Sequence, residues 1–226
     1  MTPLDRTASY AALVAARQLC RACTGLINPA ACDGGIHDSD AIGPWSLWQG
    51  NLNADLVIVG QDWGDTGYFS ANKGHEKAGN PTNVTLMKLL ASIGIVIAVP
   101  TADDAGGGAV FMTNAILCLK DGGMQGDVRP EWFANCGARF LKPTIDVISP
   151  KVVVTLEERA YRALVGGYGL PRMAFRTAVE RPEGFMLASG TRCWPMYHCG
   201  ARILNTHQPY ERQVRDWQRV GTALEN

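Results

Sequence analysis

Three short apolar runs interrupt an otherwise mixed sequence: residues 55–60 (DLVIVG), 109–116 (AVFMTNAI) and 151–156 (KVVVTL). They are rich in β-branched side chains and too short for helices, which predicts strands buried on both faces. Residues 201–206 (ARILNT) form a fourth, weaker candidate. Between the runs the apolar positions change to helical spacing. Leu86, Leu89, Leu90 and Ile93 stand at i, i+3, i+4 and i+7 before Gly94, which predicts a helix over 82–93. Further helices are predicted over 8–20, 131–148, 157–165 and from 208 to the end, with Val214, Trp217, Val220 and Leu224 inward in the last. Pro143 is expected to kink or divide the helix over 131–148. Residues 22–53, 64–80 and 166–200 carry many turn formers and predict irregular chain.

Strands alternating with helices predict the α/β class: a single-domain three-layer α/β/α sandwich around a central four-stranded, mainly parallel sheet. Residues 1–226 would form one unit, with 1–53 a helix and a cysteine-bearing segment packed upon it. In such a sheet, ligands gather at the carboxyl ends of the strands. Those ends are Gln61-Asp62, Asn114, Thr155-Leu156-Glu157 and Asn205-Thr206-His207. Asp62 could orient a water or stabilise developing positive charge. Asn114 presents a donor and an acceptor that suit an amide-like ring edge. His207, ahead of the last helix, has a disfavoured cationic form and could donate to an oxygen that becomes anionic. Each alone is more economically a turn or loop residue; together they complement one another.

Composition narrows the field. Of 226 residues 46% are hydrophobic, and 21 Lys+Arg balance 21 Asp+Glu. A polycationic nucleic-acid binder is therefore excluded, though not a local basic groove such as Arg202, Arg212, Arg215 and Arg219 could form. No apolar run reaches the ~20 residues of a membrane span. The first residues carry early charges and no apolar stretch of the secretory kind, so a cytoplasmic location without membrane contact is expected. Seven cysteines, an odd number, argue against a disulfide framework. Cys20 and Cys23 form a CxxC; with Cys118 and Cys136 they could bind an iron–sulfur cluster or zinc. Alternatively Cys118 and Cys136 are core residues and no metal is held. Cys32 competes as a ligand, while burial is the better reading of Cys193 and Cys199.

The order strand–GQD–loop, strand–Asn, strand–His-x-Pro, read from Gly60-Gln61-Asp62, Asn114 and His207-Gln208-Pro209, resembles the uracil-DNA glycosylase superfamily over about residues 18–215. The CxxC, the segment Thr113-Asn114-Ala115-Ile116-Leu117-Cys118 and the later Cys136 are most similar to its bacterial and archaeal iron–sulfur branch. The first motif departs from that branch's GEAPG-like sequence toward the GQDPY of the classical enzymes, with Trp63 for Pro and Gly64 for the Tyr that excludes thymine. The resemblance implies catalytic roles for Asp62 and His207, base contacts by Gln61, Phe69 (stacking) and Asn114, and a 4Fe–4S cluster on Cys20, Cys23, Cys118 and Cys136. It implies hydrolysis of the uracil–deoxyribose bond in DNA, releasing free uracil; a monomer is the default expectation. Tyr210 stands where the family has an apolar wedge. No lysine stands at a motif position, so no lyase step is expected. The rival readings are a non-catalytic DNA-binding protein of this fold and a small-molecule hydrolase. No G-x-S-x-G elbow, Walker loop or dinucleotide fingerprint supports other chemistry.

Overall fold

A computed structural model describes every residue except 1, 102, 105, 124, 125 and 226. Helix α1 (Pro3–Leu19) leads to strand β1 (Leu26–Ile27), a broken 3-10 segment (Pro29–Gly35) and α2 (Pro44–Trp48). Strand β2 (Leu56–Asp62) is followed by α3 (Thr66–Ala71), α4 (Pro81–Ala91), β3 (Phe111–Ile116) and β4 (Leu119–Lys120). Then come α5 (Pro130–Cys136), a π-helical turn (Gly137–Leu141), α6 (Lys142–Ile148), β5 (Val152–Leu156) and α7 (Glu158–Gly167). The remainder is α8 (Phe175–Glu180), β6 (Phe185–Met186), β7 (Arg192–Met196), α9 (Ala201–Leu204) and α10 (Tyr210–Glu225).

The main sheet has the order β3-β2-β5-β7-β6. The first four strands are mutually parallel and β6 is antiparallel to β7. Alternation along the strands explains the apolar runs. Val57, Val59, Phe111, Val153 and Cys193 face one core with α1, α5, α6 and α7. Leu56, Ile58, Met112, Val154 and Trp194 face the other, against Leu86, Leu89 and Leu90 of α4 and Trp217 and Val220 of α10. With both faces covered, neither set of positions can be polar. A small ribbon, β1 antiparallel to β4, lies apart from the sheet and pairs Leu26 with Lys120.

Several expectations are corrected. The predicted strand 201–206 is helix α9 and a turn; the strand beside β5 is β7, residues 192–196. Pro195 within it hides the strand signal, because proline cannot donate to a ladder. It is tolerated because β6 pairs only with Arg192 and Cys193, leaving β7 as an edge beyond them. The sheet thus has five strands rather than four. Pro143 does not divide its helix either: α5, the π turn and α6 run on continuously. Lys142 donates to Gly137, five residues back, and this wider turn accommodates the ring of Pro143 in the first turn of α6. Residues 64–80, expected as loop, contain α3, whose N-terminus is capped by Asp65 accepting from the Tyr68 amide at 2.8 Å. No helix among the described residues is long and apolar enough to cross a membrane.

Candidate active site

Register brings the carboxyl ends of four strands level. Asn114 of β3 lies opposite Gly60 of β2, and Leu156 of β5 opposite Met196 of β7. Asn114 is buried, and a Cβ at Gly60 would stand 2.7 Å from its amide nitrogen and 2.9 Å from Trp45. Only glycine lets this amide approach the strand. Two residues on, the Asp62 side chain is nearly buried and meets Lys120 Nζ at 3.1 Å. The Gln61 amide also donates to Asp62. Lys120 is brought here by the β1–β4 ribbon: its own amide donates to Gly64 and its backbone bridges to Asp65. A lysine therefore does stand in the site, although no motif position announced it. Breaking a buried pair of this kind costs ~3–5 kcal/mol.

The expected His207 does not sit at a strand end. It lies on the exposed turn after α9, at the rim of the cleft. The histidine beyond β7 is His198, largely withdrawn from solvent. Burial lowers its pKa, with Asp62 pulling the other way. Its Nδ1 accepts from the Gly200 amide at 3.0 Å. In the neutral ring the proton is then on Nε2, which remains a donor. A Cβ at Gly200 would come within 2.8 Å of that Nδ1, so glycine is needed for the contact. Gln213 of α10 holds the His198 carbonyl at 3.2 Å. The signal that could have identified His198 is its position two residues after a strand masked by Pro195.

Gln61, Glu157, His198 and His207 share an open cleft of about 710 Å³, with Phe175 and Tyr197 on its wall. Glu157 was legible only as a strand end. Burial raises its carboxyl pKa to about 7, and the Asp62 carboxylate adds to the shift. Its contribution to stability is complete below its ordinary value of 4.5 and is lost as pH rises through about 7. At pH 8 the ionised group should cost about 3 kcal/mol, which the Glu157→Gln variant avoids. Urea unfolding of both proteins at pH 5 and pH 8 measures this. His198, with its lowered pKa, acts in the opposite sense and cancels in the comparison.

Phe69 does not line the cleft. It is fully buried, edge-on to Trp63 at 5.7 Å and 6.3 Å from the His37 ring. Trp63 has its own partner: its indole donates to buried Glu76 at 2.8 Å, and the Tyr68 hydroxyl donates to the same carboxylate at 2.9 Å. Burial raises the Glu76 pKa against the pull of these bonds. The loop after Asp62 is thus folded around a carboxylate and three aromatic rings. Tyr210 begins α10 and packs partly against the Trp217 core. The arginines divide: Arg202 lines the cleft with Arg159, Arg212 and Arg215 are exposed, and Arg219 pairs with Asp216 and reaches the Val179 carbonyl.

Cys20, Cys23, Cys118 and Cys136 converge on a separate cavity of about 80 Å³, rimmed by Arg17, Arg21 and Arg139. Burial, then the neighbouring thiols, push Cys118 up to about 12; burial is also the main cause that lifts Cys136 to about 11. Asn135 donates to Cys23 Sγ at 3.4 Å. The wall is braced by Arg17, which is bidentate on Asp38 at 2.7 and 2.9 Å, and by Asn28, which donates to the Arg17 carbonyl at 2.6 Å. Cys32 lies elsewhere, 3.8 Å from Ser70 Oγ. Cys193 and Cys199 are fully buried. Among the described residues, no group of three or more His, Cys, Asp or Glu is placed to hold a metal ion.

The sheet edge carries the Asp62 carboxylate and the buried Asn114 amide, while the imidazole of His198 lines the cleft beside Gln61. Comparison with known proteins gives the family. The chain is 25% identical over 197 residues to a protein of Pyrobaculum aerophilum named type-5 uracil-DNA glycosylase, covering 80% of this chain and 82% of the relative. The family description "Uracil DNA glycosylase superfamily" matches residues 47–220, which include β2, β3, β5 and β7 and every residue of the sheet edge described above. The chain belongs to the uracil DNA glycosylase superfamily.

Proposed function

We propose that this protein hydrolyses the N-glycosidic bond of uracil in DNA, releasing free uracil and leaving an abasic site. The observation that carries the reading is the pairing, at one sheet edge, of a carboxylate fixed by Lys120 with a neutral His198 whose free ring nitrogen is a donor. The target base must leave the stack, at a cost of about a few kcal/mol. Asn114 then reads the uracil edge; cytosine presents a donor where uracil has a carbonyl, and a mismatch in a dry site is costly. As the bond breaks, positive charge grows on the sugar and negative charge on the base. The Asp62 carboxylate stabilises the first and positions water; His198 donates to the second. Gln61 holds Asp62 and its main chain borders the base.

His198 takes the role that the sequence pattern assigned to His207. The stacking partner expected of Phe69 would have to come from an aromatic on the cleft wall, for which Tyr197 is the better placed. Lys120 is committed to its ion pair with Asp62, which supports a monofunctional reaction. The four thiols line one cavity, and an all-sulfur donor set suits a 4Fe–4S cluster. Cys20, Cys23, Cys118 and Cys136 would hold it. Its part would be structural, pinning the end of α1 to β4 and α5.

The test is a labelled oligonucleotide with one uracil, treated with protein and then alkali, beside a thymine control. Cleavage at uracil alone is expected, without borohydride trapping. His198→Gln should lower the rate by ~10²–10³-fold, while His207→Gln stays within about threefold. No cleavage by folded protein would sink the proposal, and the reverse order of the two histidine variants would return the role to His207.

A further inference from the structure

Glu157 combines three features that the reaction described above leaves unused. Its backbone lies at φ 79°, ψ 169°, a region that essentially only glycine enters. The strain is held from both sides: its amide donates to Met196 at 2.7 Å, and its carbonyl accepts from Tyr161 at 3.1 Å. Its Oε1 is buried, with no hydrogen-bond partner among the described residues. The side chain nevertheless lines the same cleft as Gln61 and His198. A strained backbone and an unsatisfied carboxyl oxygen are both costs, and both would disappear with a glycine. Their joint presence at the mouth of the site points to a ligand that uses the carboxyl.

We propose that Glu157 is a second catalytic carboxyl beside Asp62 and that it gives a proton to the departing base. The inference rests on the glycosylase reading. Lys120 fixes the negative charge on Asp62, and two neighbouring carboxylates in a poorly solvated site do not both ionise. The groups that face Glu157 are Asp62 from β2, Lys120 from β4, Glu158 and Arg159 from α7, His198 after β7, and Arg202 and His207 across the cleft. Neutral His198 can hydrogen-bond an anionic oxygen but is a far weaker acid than a carboxyl group. In the step, the C1′–N bond breaks and its electron pair leaves with the base, which takes the Glu157 proton. Water adds to C1′ and its proton passes through Asp62 to solvent. Glu157 regains a proton through the open cleft.

Single-turnover excision separates this role from a structural one. The wild-type rate should fall as pH rises above about 7, where Glu157 ionises. Glu157→Gln keeps a donor but no transferable proton, so its rate should drop at least ~10-fold and lose that fall. Glu157→Gly relieves the strain; its Tm should rise by a few °C while its rate drops similarly. The losses should be smaller on an oligonucleotide carrying 5-fluorouracil, whose anion leaves more readily without acid assistance. Variants that excise both bases at the wild-type rate, that lose equally on both, or that lose only DNA affinity would each overturn the proposal. Wild-type protein inactive on either base would instead sink the glycosylase reading itself.

Discussion

Asp62→Asn is expected to lower the single-turnover rate of uracil excision by ~10²–10⁴-fold, with DNA affinity changed by no more than about threefold. The carboxylate acts on charge that exists only as the bond breaks, so its loss should appear in the chemical step. The substitution also removes the carboxylate from the buried Lys120–Asp62 pair, which should lower stability. The double variant Asp62→Asn/Lys120→Met separates these effects. It should regain most of the lost Tm and none of the activity. Rapid-quench kinetics on a uracil oligonucleotide and thermal melts provide both readings. A single variant within tenfold of wild type would remove Asp62 from the mechanism.

If the proposed cluster is present, Cys118→Ser is expected to abolish its visible absorption and to lower the Tm by more than ~10 °C, since several kcal/mol of a structural metal centre would be lost. The reason lies in connectivity. Cys118 is two residues from Lys120, and β4 pairs with β1, which follows the CxxC. Loosening the thiol site should therefore shift Lys120 and lower excision as well. Cys32→Ser is the control: Cys32 lies by Ser70, outside the thiol cavity, and should leave both absorption and Tm within a few per cent of wild type. Iron and sulfide analysis of aerobically and anaerobically purified protein checks the assignment. Absence of iron from anaerobic material with an unchanged Cys118→Ser melt would remove the cluster.

The sequence was most readable where burial is two-sided. Leu56–Val59 and Val152–Leu156 have no solvent face, so their apolar run is the strand itself. Asp62 follows from β2, whose last residue emerges at the ligand edge; Asn114, inside β3 two residues before its end, is level with Gly60 by register. β7 was illegible because Pro195 contradicts the strand pattern, and only the short reach of β6 makes it acceptable. The error carried over to the histidine, since Ile203 and Leu204 mimic strand residues while belonging to a single helical turn. Lys120 was illegible for another reason: a two-residue ribbon folds it back onto Asp62, and two residues give no periodicity. The strain at Glu157 is a backbone angle that its residue type would not suggest. Phe69 illustrates the opposite case, an aromatic in a plausible motif position that the core claims.

The cysteine centre also sets an order on biosynthesis. Its ligands run from Cys20 to Cys136, so the first pair is synthesised long before the last. Helix α1 also packs on α6, and that contact cannot form until the chain beyond Ile148 has left the ribosome. During translation the CxxC therefore waits as an open, exposed dithiol, and closing so long a loop carries its entropic cost in one late step. If these thiols take the proposed cluster, iron and sulfide must reach the nascent or newly released chain, and a pause in elongation before α5 would prolong the interval in which the thiols can be oxidised.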